Sequence, residues 1–246
     1  MTKSTKVQIE GKMDWSRVFF TADTHFGHGN ILKYCNRPFL NEQEQKLLAG
    51  AVIAKQRGES HPGLDRPGFK VSRESIELND NTIINNINSV VGRDDVLWHL
   101  GDFAFADYRG ARNYRDRIVC QNVYLIWGNH DKPYIRDLFT ECYKTCLQQF
   151  DDKQVMMDHY PDDLVTQTDK NILYLHGHVH AGIRRTPAFF PAYDNLPICD
   201  VGVDGLDKTK SGGNWDHKFM PWSLKDLCEF AFQKASYDNN ESLQQG

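Results

Sequence analysis

RVFFTAD, Arg17 to Asp23, is a run of β-branched and aromatic residues that ends in a carboxylate. Such a run reads as a buried strand that delivers a polar side chain at its C-terminal end. The same plan returns in DVLWHLGD (Asp95 to Asp102) and in NVYLIWGNHD (Asn122 to Asp131). Further strands are expected at KQVMMDH (Lys153 to His159), NILYLHGHVH (Asn171 to His180) and PICDVGVD (Pro197 to Asp204). Helical patterns lie between them: NILKYC from Asn30, NEQEQKLLAGAVIAKQ from Asn41, SRESIELNDNTIINNINSVV from Ser72, DYRGARNYRDRI from Asp107 and WSLKDLCEFAFQKA from Trp222. Strands alternating with helices predict an α/β layer architecture. In such folds ligands gather at the C-terminal ends of the strands, which is where the polar clusters fall here.

Composition narrows the function classes. The 246 residues are 40% hydrophobic and 25% charged, with a formal net charge of -4, the profile of one soluble globular domain with a full core. Mild acidity argues against an extended nucleic-acid partner, which usually demands a basic face. The N-terminus has no apolar signal-like run, and no stretch is long and apolar enough to span a membrane. Six cysteines without CxxC pairs read as reduced thiols of a cytoplasmic protein. Cys142 and Cys146 stand four apart, as on one helix face, but two thiols do not close a zinc site. The tail at 236–246 is polar and expected to fray.

Five separated segments carry metal-type donors: Asp23 and His25 in ADTH, Asp102 in LGDF, Asn129 and His130 in GNHD, His159 in DHYP, and His178 with His180 in GHVH. Each block alone is common by chance, and a cap, a turn or a core polar residue would explain it. Five of them, each in a strand-then-turn context, point to one site. Carboxylate, amide and imidazole donors suit manganese, iron, cobalt, nickel or zinc, and no thiol falls in any of these segments. The donors are too many for one tetrahedral ion and suit two ions that share a bridging carboxylate.

With these five blocks in order, the chain resembles the calcineurin-like metallophosphoesterase superfamily, whose pattern is DxH, GD, GNH followed by D or E, H, and GHxH. The stretch DTHFGHGNILKYCNRPF from Asp23 is similar to the start of small bacterial and phage members, as is DVGVD at Asp200 to Asp204. The resemblance covers most of the chain. It implies a two-sheet β-sandwich flanked by helices, in αββα order. It also implies two divalent metal ions, manganese first, with iron, zinc, nickel and cobalt as alternatives. Asp23, His25 and His180 would hold the first ion, Asn129, His159 and His178 the second, and Asp102 both. His130 would stand off the metals, near the scissile phosphate, as general acid. The implied activity is hydrolysis of a small phosphomonoester or phosphodiester, with a nucleotide or cyclic nucleotide among the candidates. A nuclease of the same fold and a scaffold without catalysis are the competing readings; the second expects missing ligands, and none is missing.

Other residues are weighed against plainer roles. His28 and Asn30 are candidates to contact a substrate phosphate, with Asn30 alternatively a helix cap. Arg37 is either a phosphate clamp or half of a structural ion pair. Asp131 is read as a cap of the helix that Pro133 would open, in preference to an orienter of His130. His99 and His176 are expected behind the ligands or in the core, and His61 and His217 carry no assigned role. Residues 41–71, with a Pro/Gly-rich break at GESHPGLDRPG, form an excursion that is a candidate substrate lid or a peripheral helix and turn. GVDGLDKT has Walker-like spacing, but Asp207 occupies the place of the second glycine, and neither HExxH nor GxSxG occurs.

Overall fold

The computed structural model describes residues 5–7, 15–60, 68–180, 196–205 and 219–231. The expected frayed tail, His61 and His217 lie outside the described residues. Among the described residues ten strands form two five-stranded sheets. The first contains β2 (Val18–Thr21), β3 (Val96–His99), β4 (Asn122–Ile126) and β5 (Glu141–Tyr143), all parallel neighbours, with β10 (Trp222–Ser223) antiparallel along β2. In the second sheet β1 (Thr5–Val7) runs parallel to β6 (Thr145–Phe150). The antiparallel pair of β6 and β7 (Lys153–Asp158) follows, then parallel β8 (Ile172–His176) and β9 (Ile198–Asp200).

Alternation along the strands explains why the sheets stack. Val18 and Phe20 of β2, Val96 and Trp98 of β3 and Ile126 of β4 face Val155 and Met157 of β7 and Leu173 and Leu175 of β8 in one core. Their alternate neighbours Phe19, Leu97, Val123 and Leu125 point the other way, onto helices. Burial on both faces is why β2 and β3 read as continuous apolar runs instead of alternating ones. The covering helices are α3 (Arg73–Val90), through Ile83, Ile84 and Ile87, and α4 (Tyr108–Arg117), through Ala111. The outer face of the second sheet buries Tyr174 and Ile198 beneath Leu164 and Leu196. The fold is thus α/β, with two mixed sheets flanked by helices. Among the described residues no helix is long and apolar enough to cross a membrane.

Helix starts follow their caps. Ser72 accepts from Ser75 N at 3.2 Å, and Asp107 accepts from Gly110 N at 2.8 Å. Asn41 and Glu44 form a reciprocal capping box that opens α2 (Glu42–Arg57), which ends on left-handed Gly58. The buried Glu44 carboxylate also accepts from Ser72 N and Ser75 Oγ, so the N-termini of α2 and α3 are clasped together. The two ends of the 41–71 excursion therefore meet.

Three local expectations need correction. Cys142 and Cys146 lie in β5 and β6, not on a helix; TCLQQF buries every second residue, and that period of two outweighs the four-residue spacing. The helix expected from Trp222 begins at 224, because Trp222 and Ser223 pair with Phe20 and Phe19 as the sheet edge. Asn30 does not cap α1 (Gly29–Tyr34). It lies inside the first turn and is exposed, and His28 occupies the N-cap without a side-chain bond.

Candidate metal centre

The donors converge because the strands that carry them end side by side. Thr21 pairs with His99 and His99 with Leu125, so the turns after β2, β3 and β4 leave the first sheet together. Backbone bonds tie the first two turns: Asp23 N donates to Gly101 O at 2.9 Å, and His25 N to Asp102 O at 3.0 Å. Met157 pairs with Leu175, so β7 and β8 deliver His159 and the GHVH turn next to each other. Gly177 N donates to His159 O at 3.2 Å, and Ala22 forms a parallel bridge with Gly202, which joins the two sheets at this end.

Two triads result. Ligand atoms of Asp23, His25 and His180 lie within 4.8 Å of one another, and so do those of Asp102, His159 and His178. The link between them is Asp102, whose Oδ2 is 3.5 Å from His25 Nε2 and 3.6 Å from His159 Nε2. Asn129 Oδ1 stands 3.3 Å from His159 Nε2. His130 is also close, within 4.8 Å of the donor atoms of His25 and Asp102, and half-buried.

The chain bends sharply to achieve this. Among the described residues eight non-glycine residues have positive φ, and five of them are Asp23, His25, Asp102, His178 and His180. Asp and His tolerate that region better than most side chains, but each such residue still stores strain, the kind that clusters at functional sites. β8 stops at His176, so His178 and His180 lie past the strand and reach different triads. Close approach demands Gly128: a Cβ there would fall 2.3 Å from Asp102 Oδ1 and 2.4 Å from Asp102 N.

Asp131 is neither a helix cap nor an orienter of the His130 ring. Its Oδ2 accepts from Asp102 N and Gly128 N and its Oδ1 from Phe103 N, each at 2.9 Å. The GD and GNH turns present these amides to one buried carboxylate, whereas Lys132 caps the following 3₁₀ turn without a side-chain bond. The clamp leaves Asp102 Oδ1 to accept from His130 N at 2.8 Å and Oδ2 to face the histidines.

Further partners aim the imidazoles. His159 Nδ1 donates to Leu100 O at 2.8 Å, because a carbonyl can only accept, and this leaves Nε2 as a lone pair toward Asp102. His180 Nδ1 lies 2.6 Å from Asp204 Oδ2, which turns its Nε2 toward Asp23 Oδ1 at 4.0 Å. Asp204 is held in turn by Arg37, through Nε at 2.8 Å and Nη2 at 3.0 Å. Arg37 also donates to Asp23 O at 2.8 Å and Thr24 O at 3.1 Å. Its side chain is fully buried, so of the two roles open to Arg37 in the sequence reading the structural ion pair holds and the phosphate clamp does not. Asp204 had no role in that reading, although DVGVD shows the same signal as RVFFTAD, an apolar strand followed by a carboxylate. Cys35 corrects a second omission: its thiol meets His180 and Asp204.

Burial disfavours charge on most members of the cluster. Burial raises the pKa of Asp23 and of Asp102 and lowers those of His25, His159 and His178. Burial would lower His180 as well, but the Asp23 charge and the Asp204 hydrogen bond outweigh it and push the imidazole up to about 11. Two buried atoms that face the cluster, Asp23 Oδ1 and His25 Nε2, have no hydrogen-bond partner. Orphaned buried polar atoms are costly, and a coordinated cation would satisfy them. The donor set fits a pair of divalent ions on these grounds.

The remaining histidines sort by burial. His99 is fully buried with Nε2 2.9 Å from Thr24 Oγ1, and burial lowers its pKa to about 3. His176 is fully buried with Nδ1 2.7 Å from Gly177 O, behind the ligands as expected. His28 is half-buried beside His25, stacks on Phe105 and is lowered to about 4, chiefly by burial.

No family model matches the chain. It is similar to the uncharacterized protein MJ1445 of Methanocaldococcus jannaschii, 28% identical over 171 residues that cover 69% of this chain and 72% of that protein. The crystal structure of the protein of unknown function AQ665 from Aquifex aeolicus aligns with a TM-score of 0.54 at 20% identity, over 86% of this chain and 97% of that one. The likeness is one of fold. Neither relative names an activity.

Proposed function

We propose that the chain is a dinuclear metal-dependent phosphoesterase with the αββα arrangement of the calcineurin-like superfamily. The observation that carries this reading is the position of Asp102 Oδ2, 3.5 Å from His25 Nε2 of one triad and 3.6 Å from His159 Nε2 of the other. A carboxylate so placed is suited to bridge two ions. Asp23, His25 and His180 would complete the first site and Asn129, His159 and His178 the second. With His180 Nδ1 held by Asp204 at 2.6 Å, its Nε2 stands 4.0 Å from Asp23 Oδ1, where both atoms would face one ion. Oxygen and imidazole donors favour manganese, with iron, cobalt, nickel and zinc compatible. Bound as a pair, such ions neutralise phosphate oxygens and make a hydroxide available near neutral pH.

The residues divide the remaining work. His178 N donates to Asp23 Oδ2 at 2.9 Å, which leaves Oδ1 for coordination. His130 N donates to Asp102 Oδ1, so the backbone of the proposed general acid is anchored to the bridging carboxylate itself. The His130 imidazole borders the cluster and would pass its proton to the departing ester oxygen. The walls of the site exclude water behind the ligands through His99, His176 and Phe103, all fully buried. Six reduced thiols suit a cytoplasmic setting.

His130→Ala is expected to lower turnover of an aryl phosphoester by about 100-fold or more while two manganese ions per chain remain bound. Asp102→Asn is expected to lose both metal and activity. Failure of the manganese-loaded wild type to hydrolyse either an aryl phosphomonoester or an aryl phosphodiester would refute the proposal.

A further inference from the structure

Eight large hydrophobic side chains are exposed among the described residues, and the three aromatic ones are Tyr34, Phe105 and Tyr134. Tyr34 and Phe105 both border His28 beside the candidate centre, and Tyr134 touches the chain next to Phe105. Phe105 stacks on His28 with ring centroids 4.4 Å apart at 18°, and meets His130 edge-on at 5.8 Å. The Tyr34 ring lies 6.5 Å from the His28 ring at 81°. Tyr134 Oη donates to Ala106 O at 2.7 Å, next to Phe105 in the chain. His28 and His130 in turn adjoin His25, at 5.4 Å and 5.1 Å. A ladder of rings thus climbs from His25 through His28 and His130 to the exposed Phe105, with Tyr34 edge-on to His28.

The ladder is held in place. Phe105 N donates to Phe26 O at 2.9 Å, and Phe26 is fully buried between Phe103 and Tyr114. Phe105 nevertheless leaves 55% of its surface in water. An aromatic fixed by a rigid backbone and only half covered is a ready stacking partner, since ring faces prefer offset-stacked or edge-on neighbours to water.

We propose that this ladder of rings is a stacking platform for a planar ring carried by the ester, so that the substrate class is a small phosphoester bearing a nucleobase or an aryl group. The inference rests on the phosphoesterase reading above and specifies its substrate. A net charge of -4 fits a small ring-bearing ester better than a long nucleic acid, whose backbone needs a basic track.

The test compares manganese-loaded protein on adenosine 5′-monophosphate, phenyl phosphate and ribose 5-phosphate, each also as its methyl diester. A ring is expected to raise kcat/KM by about tenfold over the ribose ester. Phe105→Ala and Tyr34→Ala are expected to bring that ratio toward one through KM, whereas Phe105→Trp keeps it. Preference for the adenosine over the phenyl ester assigns a nucleobase, and the reverse an aryl group. Hydrolysis of ring-bearing and ring-free esters with equal efficiency, or a ratio unmoved by both alanine variants, overturns this inference and leaves the phosphoesterase reading standing. Hydrolysis of none of them defeats both.

Discussion

Replacing Asp131 with alanine removes one carboxylate and leaves three amides without an acceptor. Asp102 N, Phe103 N and Gly128 N each donate to it at 2.9 Å, and the residue is 8% exposed. A buried N–H stripped of its partner costs roughly 1–3 kcal/mol, so three cost at least about 3 kcal/mol. That is a large share of the roughly 5–15 kcal/mol that holds a domain folded. At about 2–4 °C per kcal/mol for a chain of this size, the melting temperature should fall by about 6 °C or more. Asp131→Asn keeps one acceptor but turns an NH2 group toward a backbone donor, so its loss is expected to be smaller. The same amides set the turns that carry Asp102 and Asn129. Manganese content of the alanine variant, read by mass spectrometry after dialysis, should therefore fall with stability. A melting temperature within about 1 °C of wild type, together with two ions still bound, would show that Asp131 does not hold the turns.

Two other outcomes are expected. Burial alone would raise the Glu44 pKa, but hydrogen bonds from Ser75, Ser72 and Asn41 outweigh it and hold it below its ordinary 4.5. A depressed carboxylate contributes stability above its unfolded pKa and loses it as pH falls through the folded value. Glu44→Gln should therefore melt below wild type at neutral pH, and the gap should close below about pH 4.5; a gap constant from pH 7 to pH 3 would contradict this. Deletion of residues 42–71, which joins Asn41 to Ser72 where Asn41 Nδ2 and Ser72 Oγ are 3.4 Å apart, is expected to keep the metal content and shift substrate preference. Kinetics unchanged across a panel of nucleotides would make the excursion peripheral.

Much of the candidate site was legible because its logic is local. RVFFTAD, DVLWHLGD and NVYLIWGNHD each show an apolar strand followed by a donor, and parallel strands of one sheet place their ends together without further information. Asp131 was misread, and Arg37 was left open between a clamp and an ion pair, for a different reason. An arginine in CNRPF and an aspartate before a proline look the same in sequence whether they face solvent, substrate or three backbone amides. What separates them is burial among residues more than twenty positions away, such as Asp204 for Arg37 and Phe103 for Asp131. β5 and β6 were missed because TECY and TCLQQF are short and half polar, and it is the partner strands that keep them extended.

The HxH turn shows the same division. By itself the chain determined that several carboxylate and imidazole donors stand at strand ends, since hydrophobic runs and their stops are written residue by residue. The division of His178 and His180 around Asp102 was an expectation from the resemblance alone; the tertiary structure carries both histidines past the end of β8, to separate triads with Asp102 between them. Those outcomes depend on left-handed turns held by hydrogen bonds from other segments, such as His178 N to Asp23 Oδ2. No local run of sequence records the geometry of a bond whose two ends lie 155 positions apart.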